Sequence, residues 1–434
     1  MGTLRRIRRL AADTPARRDR QVDLLRAVAI AAVVMGHWLV VYVSDDGGLH
    51  GGSALETVPW TRPLTWLFQV MPIFFLVGGF ANAASFTSHR DGGGTASSWI
   101  LRRTDRLVRP TTALLGVLTV AALSARALGA DSALIGMGVW AAAIPLWFLV
   151  VYLAVVVLTP LTHALHRRYG LAVPVVLVVL VGVGDAARMA WHIPYVDQGN
   201  FLFAWLAVHQ AGFAWQDGRL PARRSVALPL ALGGLAALVA LTVPGPYPIS
   251  MVGVNTSPPS LALLALAVAQ TGLAMWLQDP VNRWLRRLRP WTVVVAVNSV
   301  IMTLFLWHMT AAVLGVLALY PTGVLPDPPA GSTAWVLLRV PWIVVLALIL
   351  GVLVAVFGPI EQRSGPLPDP RAAPVVPALA GTAGVLAGLL GAASAGPGDH
   401  GVAGLPTPAL VAYFAGAAVL RHARRRRSTG PPLV

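Results

Sequence analysis

Long apolar runs separated by short polar connections make up most of the chain. Twelve runs can be marked, at residues 22–44, 64–88, 110–128, 137–159, 171–190, 200–216, 226–244, 259–278, 291–320, 333–358, 374–393 and 405–420. About 20 apolar residues cross the hydrocarbon layer of a membrane as an α-helix, so these runs predict membrane-spanning helices. The ninth run exceeds a single crossing and is expected to tilt or break.

The pattern predicts an all-α polytopic membrane protein. Continuous apolar runs of this length are typical of helices, whereas a transmembrane barrel needs short strands of alternating polarity. The composition agrees, because 56% of the residues are hydrophobic and 12% are charged, against about 25% charged in soluble domains. The chain has no cysteine, which excludes disulfides, thiolate nucleophiles and cysteine metal sites.

Charge alternates between successive connections. The net charge is +16, and arginines crowd into residues 1–20, 90–109, 167–168, 219–224, 283–289, 363–371 and 421–427. The other connections hold few arginines and carry acids such as Glu56, Asp131 and Asp197. The positive-inside rule then puts both termini in the cytoplasm of a multi-pass protein of the cytoplasmic (plasma) membrane. The lipid bilayer, and not nucleic acid, is the expected partner of these loop arginines.

Two ionisable residues share one face of the first predicted span. Arg26 and His37 are eleven positions apart, which on a helix amounts to three turns plus about 20°, with a separation of about 16 Å along the axis. An ionisable group inside a bilayer is a functional candidate by default. The alternative is a histidine that packs through a hydrogen bond to a neighbouring helix.

Other polar residues within the predicted spans are interpreted first as packing groups. Gly79 is expected to allow close helix approach, and Asn82 to form a helix–helix hydrogen bond. His209 and His308 are treated in the same way. Asp185 and Arg188, three residues apart, are expected to form a local ion pair.

A basic stretch, SSWILRRTDRLVRP, follows the second predicted span. Its Arg103, Arg106 and Arg109 recur every three residues, so they are expected along one side of a helical start, with Pro110 in the first turn of the third helix. A row of arginines at a membrane surface binds phosphates well, but it also serves as an ordinary topology signal. The pattern leaves both interpretations open.

Five stretches, in the same order along the chain, resemble the membrane-bound acyltransferase-3 family. VDLLRAVAIAAVVMGHW is similar to the family's opening helix, whose hallmark of an arginine, ten residues and a histidine is met by Arg26 and His37. FFLVGGFANAASF, LRRTDRLVRP, PLWFL and IMTLFLWHM resemble its later motifs. The chain departs from the family in the GGF of the second span, where a serine-containing form is common. The hydrolase-like C-terminal domain that some members carry is not expected here.

The resemblance implies a ten-helix acyltransferase domain with additions at both ends. The expected divisions are a basic cytoplasmic arm at residues 1–21, the transmembrane domain at 22–360, a linker at 361–373, and a C-terminal pair of extra transmembrane helices with a basic tail at 374–434. The implied activity is transfer of an acyl group, usually acetyl, from acyl-coenzyme A to a hydroxyl of a carbohydrate or another surface or secondary metabolite.

The resemblance also implies roles for particular residues. His37 would act as general base or as a transient acyl carrier, and Arg26 would hold a phosphate or polarise the thioester carbonyl. Asp23 would orient Arg26, and Arg103 with Arg106 would hold coenzyme A phosphates. His308 and His209 are secondary candidates. No metal is expected.

The alternative function is a proton-coupled transporter or flippase of a glycan or small metabolite. Many helices with buried histidine and arginine would suit such a protein. A transporter of this size usually shows two related halves, and the sequence shows no internal repeat. The acyltransferase interpretation is therefore preferred.

Overall fold

The computed structural model describes residues 2–15, 18–44, 50–320, 323–324, 326, 328–363, 374–397 and 401–425. In this part of the chain the α-helices, numbered α1 to α18, are Gly2–Ala12, Arg20–Val40, Ala54–Thr57, Thr65–Phe68, Met71–Asp91, Ala96–Ala127, Ser132–Ala143, Leu146–Tyr169, Ala172–Met189, Asn200–Gln216, Arg224–Thr242, Leu261–Trp276, Gln278–Trp284, Leu288–Asn298, Ile301–Leu319, Thr333–Glu361, Val375–Ser394 and Thr407–Arg425. Short 3-10 helices lie at Pro59–Leu64, Val196–Gly199 and Val402–Gly404. Strands β1 (Val41–Ser44) and β2 (His50–Ser53) pair antiparallel.

The protein is an all-helical, multi-pass membrane protein, as predicted. Among the described residues, 9 helices are long and apolar enough to cross a membrane, or 10 if α12 and α13, bent by 52°, form one broken span. This is fewer than the twelve runs marked in the sequence. The run at 200–216 is a helix of 17 residues, and of the two C-terminal helices α17 meets the criterion whereas α18 does not. The α18 helix ends in arginines, which lower its mean hydropathy.

The expected interruption of the ninth run is confirmed. The α14 helix ends at Asn298 and α15 begins at Ile301. Residues 364–373 of the predicted linker and the basic tail from residue 426 onward lie outside the described residues.

The chain folds into two compact units, each assembled from separated segments. The first contains residues 1–84, 158–301 and 328–336, and the second contains residues 85–157, 302–327 and 337–434. The described residues of α17 and α18 therefore belong to the second unit. The division differs from a simple succession of domains along the chain because several long helices, such as α5 and α8, contribute to both units.

The third predicted helix begins earlier than expected, which is a correction to the sequence analysis. The α6 helix starts at Ala96 after the N-cap Thr95, whose side chain accepts from the Ser98 amide while the Ser98 side chain binds the Thr95 amide. This capping box satisfies the first free amides of the helix. The arginines of the basic stretch therefore lie on α6, and Pro110 lies in its interior instead of its first turn.

The prediction of an ion pair between Asp185 and Arg188 is wrong. Asp185, buried in the first unit, accepts hydrogen bonds from the Tyr247 hydroxyl at 2.6 Å, the Asn200 side chain at 3.0 Å and the Leu261 amide at 2.9 Å. Arg188 pairs with Asp197 at 3.2 Å. Burial, followed by the hydrogen bond to Asp185, raises the pKa of the Tyr247 hydroxyl, so Tyr247 remains a donor at neutral pH.

Candidate active site

The α2 helix carries both members of the arginine–histidine motif without interruption. It begins after Asp19, whose carboxylate caps the Gln21 amide at 3.0 Å. The same carboxylate accepts from Gln278 at 2.6 Å and from Asn282 at 3.1 Å. The start of the helix is therefore fixed against the segment around α13, within the first unit.

Asp23 is the centre of a charged cluster in the first turn of α2. Its carboxylate, 8% exposed, accepts a hydrogen bond from Arg18 Nε at 2.7 Å and lies 3.6 Å from Arg26 Nη1. The hydrogen bond to Asp23 raises the pKa of the Arg18 guanidinium. The Arg26 side chain remains 28% exposed, so one carboxylate holds two guanidinium groups and Arg26 keeps donors for another anion or carbonyl.

Two further residues support this cluster through contacts that the sequence analysis did not predict. Arg18 lies in the basic arm, one residue before the N-cap, and was counted only as a positive charge. The Asn298 side chain, at the end of α14, donates to the Asp23 carbonyl and to the Val294 carbonyl, each at 2.9 Å. The pairing of Arg18 with Asp23 could have been predicted, because the two residues are five positions apart. The contact of Asn298 with Asp23 is evident only from the tertiary structure.

His37 lies near the other end of α2 and is partly buried. Its carbonyl accepts from the Val41 amide at the point where the helix ends and β1 begins. About 16 Å of helix separates it from Arg26, so these two side chains do not contact each other.

His209 occupies a packing position in the first unit. The ring is fully buried, its Nε2 lies 3.0 Å from Asn82 Nδ2, and its centroid lies 4.7 Å from that of the Phe213 ring in an edge-to-face arrangement. Gly79 lies so close that a Cβ there would stand 2.0 Å from the His209 carbonyl oxygen. The predicted helix–helix hydrogen bond of Asn82 and the close approach at Gly79 are both confirmed.

His308 is likewise fully buried, in the second unit. Its Nδ1 is hydrogen bonded to the Phe305 carbonyl one turn earlier on α15. The contact of His209 with Asn82 joins two helices, and the contact of His308 with Phe305 lies within one helix.

The predicted phosphate-binding arginines lie on the first four turns of α6. Arg106 is exposed, and the partly buried Arg103 has its guanidinium 6.0 Å from the Trp99 ring centroid. Arg102 is hydrogen bonded to His89, and Arg109 to Asp105. Arg103, Arg106 and His308 belong to the second unit, whereas Asp23, Arg26, His37 and His209 belong to the first.

The first unit therefore carries Arg26 and His37 on one helix, near its two ends. A guanidinium held by a buried carboxylate can bind a phosphate or stabilise charge on a carbonyl oxygen. An imidazole on the same helix can serve as a general base. Across the described residues, no group of three or more His, Asp or Glu side chains could hold a metal ion.

Comparison with known proteins connects these residues to one family. A family model of acyltransferase 3, described as an acyltransferase domain, matches residues 19–361. Searches of curated proteins and of solved structures found no match. The matched range begins at the N-cap of α2 and ends with the last residue of α16, so it includes every candidate of the sequence analysis and leaves out Arg18, α17 and α18.

Proposed function

Because the chain belongs to the acyltransferase 3 family of membrane-bound O-acyltransferases, we propose that it moves an acyl group, acetyl in the first instance, from cytoplasmic acyl-coenzyme A to a hydroxyl of a carbohydrate or another surface or secondary metabolite. Family membership also decides in favour of an acyltransferase over a transporter. The observation that supports the proposal most directly is α2, which carries the carboxylate-held Arg26 in its first turns and His37 near its end.

In the reaction, an ester bond to the acceptor oxygen replaces the thioester bond, and the hydroxyl proton of the acceptor must be removed. The acceptor oxygen attacks the thioester carbonyl carbon while His37 takes the hydroxyl proton. The carbon–sulfur bond then breaks, and the coenzyme A thiolate leaves and takes up a proton. The products are an ester and free coenzyme A, and the imidazole returns to its neutral form.

Arg26 acts on the donor side of this reaction. Charge develops on the thioester carbonyl oxygen during attack, and a guanidinium aimed at that oxygen stabilises it. A donor phosphate is the other group that Arg26 can bind in this way. In either case Asp23 is a positioning residue, because its contacts with Arg26 and Arg18 restrict where the Arg26 side chain points.

Arg103 and Arg106 bind coenzyme A phosphates in this proposal. Their place in the first turns of α6, with Arg106 exposed, supports it, because phosphates need accessible guanidinium donors. If coenzyme A binds from the cytoplasm, these turns of α6 must face the cytoplasm. The proposed cytoplasmic location of both termini places them on the same side.

Thiol release from acetyl-coenzyme A by the purified full-length protein, with candidate glycans as acceptors, tests the proposal. The chain has no cysteine, so a thiol reagent reports coenzyme A without background from the protein. Acceptor-dependent thiol release is expected for the wild type, and His37→Ala should be slower by about 10²–10⁴ because a general base is lost.

His209→Ala and His308→Ala are the matched controls, since each removes a fully buried imidazole. They should lower thermal stability and leave the chemical step of the folded protein in place. A folded His37→Ala protein that turns over at nearly the wild-type rate would eliminate the proposed mechanism. Thiol release that does not depend on any acceptor would contradict acyl transfer to those acceptors.

A further inference from the structure

A groove of about 930 Å³ lies in the second unit between α6, the end of α16 and α18. Four arginines line it, Arg109, Arg363, Arg421 and Arg424, together with Asp105. Most of the remaining lining is aliphatic or aromatic, as at Val108, Ile360 and Phe414. We call this cavity the arginine groove. Its volume is that of a cavity for a small-molecule ligand.

The arginine groove carries an excess of positive charge. Asp105 pairs with Arg109 at 2.8 Å and with Arg424 at 2.9 Å. Arg109 also donates to the Arg363 carbonyl at 3.0 Å, which holds the end of α16 against α6. Four guanidinium groups and one carboxylate leave a surplus of three positive charges among the lining residues. Such a surplus attracts an anionic ligand, and guanidinium groups suit phosphate.

The C-terminal helices hold their part of the groove firmly. In α18, a Cβ at Gly416 would stand 2.5 Å from the Val385 amide nitrogen, so α17 and α18 meet backbone against backbone. The Tyr413 hydroxyl donates to the Val108 carbonyl of α6 at 3.1 Å. Arg421 and Arg424 follow on the same helix within three further turns, so the groove has fixed walls.

The groove differs from the surface assigned to the acyl donor. On α6 its lining residues recur at helical spacing, from Leu101 through Asp105 to Arg109 and Ala113, and neither Arg103 nor Arg106 is among them. Arg363, Arg421 and Arg424 lie beyond residue 361, where the family match ends. The groove therefore joins the acyltransferase domain to helices that the domain does not include.

We propose that the arginine groove binds the phosphate head group of an anionic phospholipid. The aliphatic wall accepts the first part of the acyl chains, and the arginines hold the phosphate. The location favours a lipid over a soluble phosphate, because α6 and α16 are both candidate spans and the groove arginines lie on α6, just beyond the end of α16 and on the last turns of α18. Basic pockets between membrane helices at the cytoplasmic surface suit anionic head groups.

Lipid retention by the full chain tests the proposal. The protein is reconstituted into nanodiscs of phosphatidylcholine, and binding of labelled phosphatidylglycerol and of phosphatidylcholine with the same acyl chains is measured. Wild type should prefer phosphatidylglycerol. Arg421→Gln with Arg424→Gln should weaken that binding roughly 10- to 30-fold, at about one kcal/mol for each arginine. Equal binding of the two lipids by wild type would overturn the proposal.

Three further arms keep the result interpretable. Arg286→Gln with Arg287→Gln removes the same charge from an exposed connection outside the groove and should leave lipid preference unchanged. Ala417→Trp fills the aliphatic wall without changing charge and should also weaken lipid binding, which guards against a double variant that misfolds once Asp105 loses a partner. Coenzyme A is added as a soluble phosphate, and displacement of phosphatidylglycerol by it would overturn the lipid assignment in favour of a soluble phosphate site.

Discussion

Near the start of both α2 and α6, a single aspartate pairs with two arginines. The two aspartates differ in how far along the chain their arginines lie. In α2, Asp23 pairs with Arg18 and Arg26, which lie within one turn or a short loop of it. In α6, Asp105 pairs with Arg109, four residues on, and with Arg424 from the far end of the chain. The first cluster is local in sequence, whereas the second joins distant elements.

The contrast separates two uses of a basic helix start. Around α2 the cations are anchored, since Arg20 also donates to the Leu285 carbonyl at 2.7 Å and covers the Trp291 ring. Such anchoring suits the positioning of one reacting side chain. On α6, Arg106 is exposed, which suits capture of a ligand from solution. The predictions below test this division, beginning with the largest expected effect.

Arg103→Gln with Arg106→Gln should weaken binding of acyl-coenzyme A on the order of 30-fold, because two charge-assisted contacts to phosphate are lost. The KM for the donor should rise while the maximal rate changes far less. Steady-state kinetics over a range of donor concentrations measures both. Arg286→Gln with Arg287→Gln serves as the control of equal charge. If the KM for the donor is unchanged in the first variant, Arg103 and Arg106 do not bind the donor, and their role is limited to orienting the protein in the membrane.

Asp23→Asn and Asp105→Asn remove the same charge from the two clusters. Asp23→Asn should lower kcat about tenfold, because Arg26 loses the carboxylate that orients it. Asp105→Asn should have its larger effect on thermal stability, because it releases α18 from α6. Turnover and melting temperature, measured on both variants, test the division directly. If Asp105→Asn lowers kcat more than Asp23→Asn does, the assignment of α2 to positioning of a reacting side chain is contradicted.

Asn82→Ala should have the smallest effect, a loss of about 1 kcal/mol in stability, as is usual for a single hydrogen bond between membrane helices. It removes the partner of His209 and leaves α2 untouched. Unfolding in detergent gives the stability, and thiol release gives the turnover of the folded protein. A fall in turnover as large as that of His37→Ala would move His209 from packing into the chemistry.

The predictable features of this protein depend on neighbours along the chain. The unbroken α2, the pairing of Asp23 with Arg26 and the break after Asn298 follow from apolar run length and helical spacing. The α6 start differs from the prediction because Pro110 suits a first helical turn, whereas the Thr95–Ser98 capping box begins the helix earlier in the chain. Both are valid helix-start signals, and the local sequence does not rank them.

The features that could not be predicted depend on partners far away in sequence. Asp185 was paired with Arg188 by spacing, but burial gives it Tyr247, Asn200 and the Leu261 amide, because a buried carboxylate needs several donors. The contacts of Asn298 with Asp23 and of Arg424 with Asp105 span 275 and 319 residues. No periodicity along the chain contains that information.

The length of α6 has a consequence for how quickly a donor is captured. Its 32 residues extend about 48 Å, whereas the hydrocarbon layer is about 30 Å thick. The surplus is about 18 Å, or roughly twelve residues, and the basic residues Arg102, Arg103 and Arg106 lie toward the start of the helix. We expect the exposed Arg106 to reach the aqueous layer, where its field acts on a multiply charged anion before contact. Arginines in that position act on the association rate constant more than on residence time.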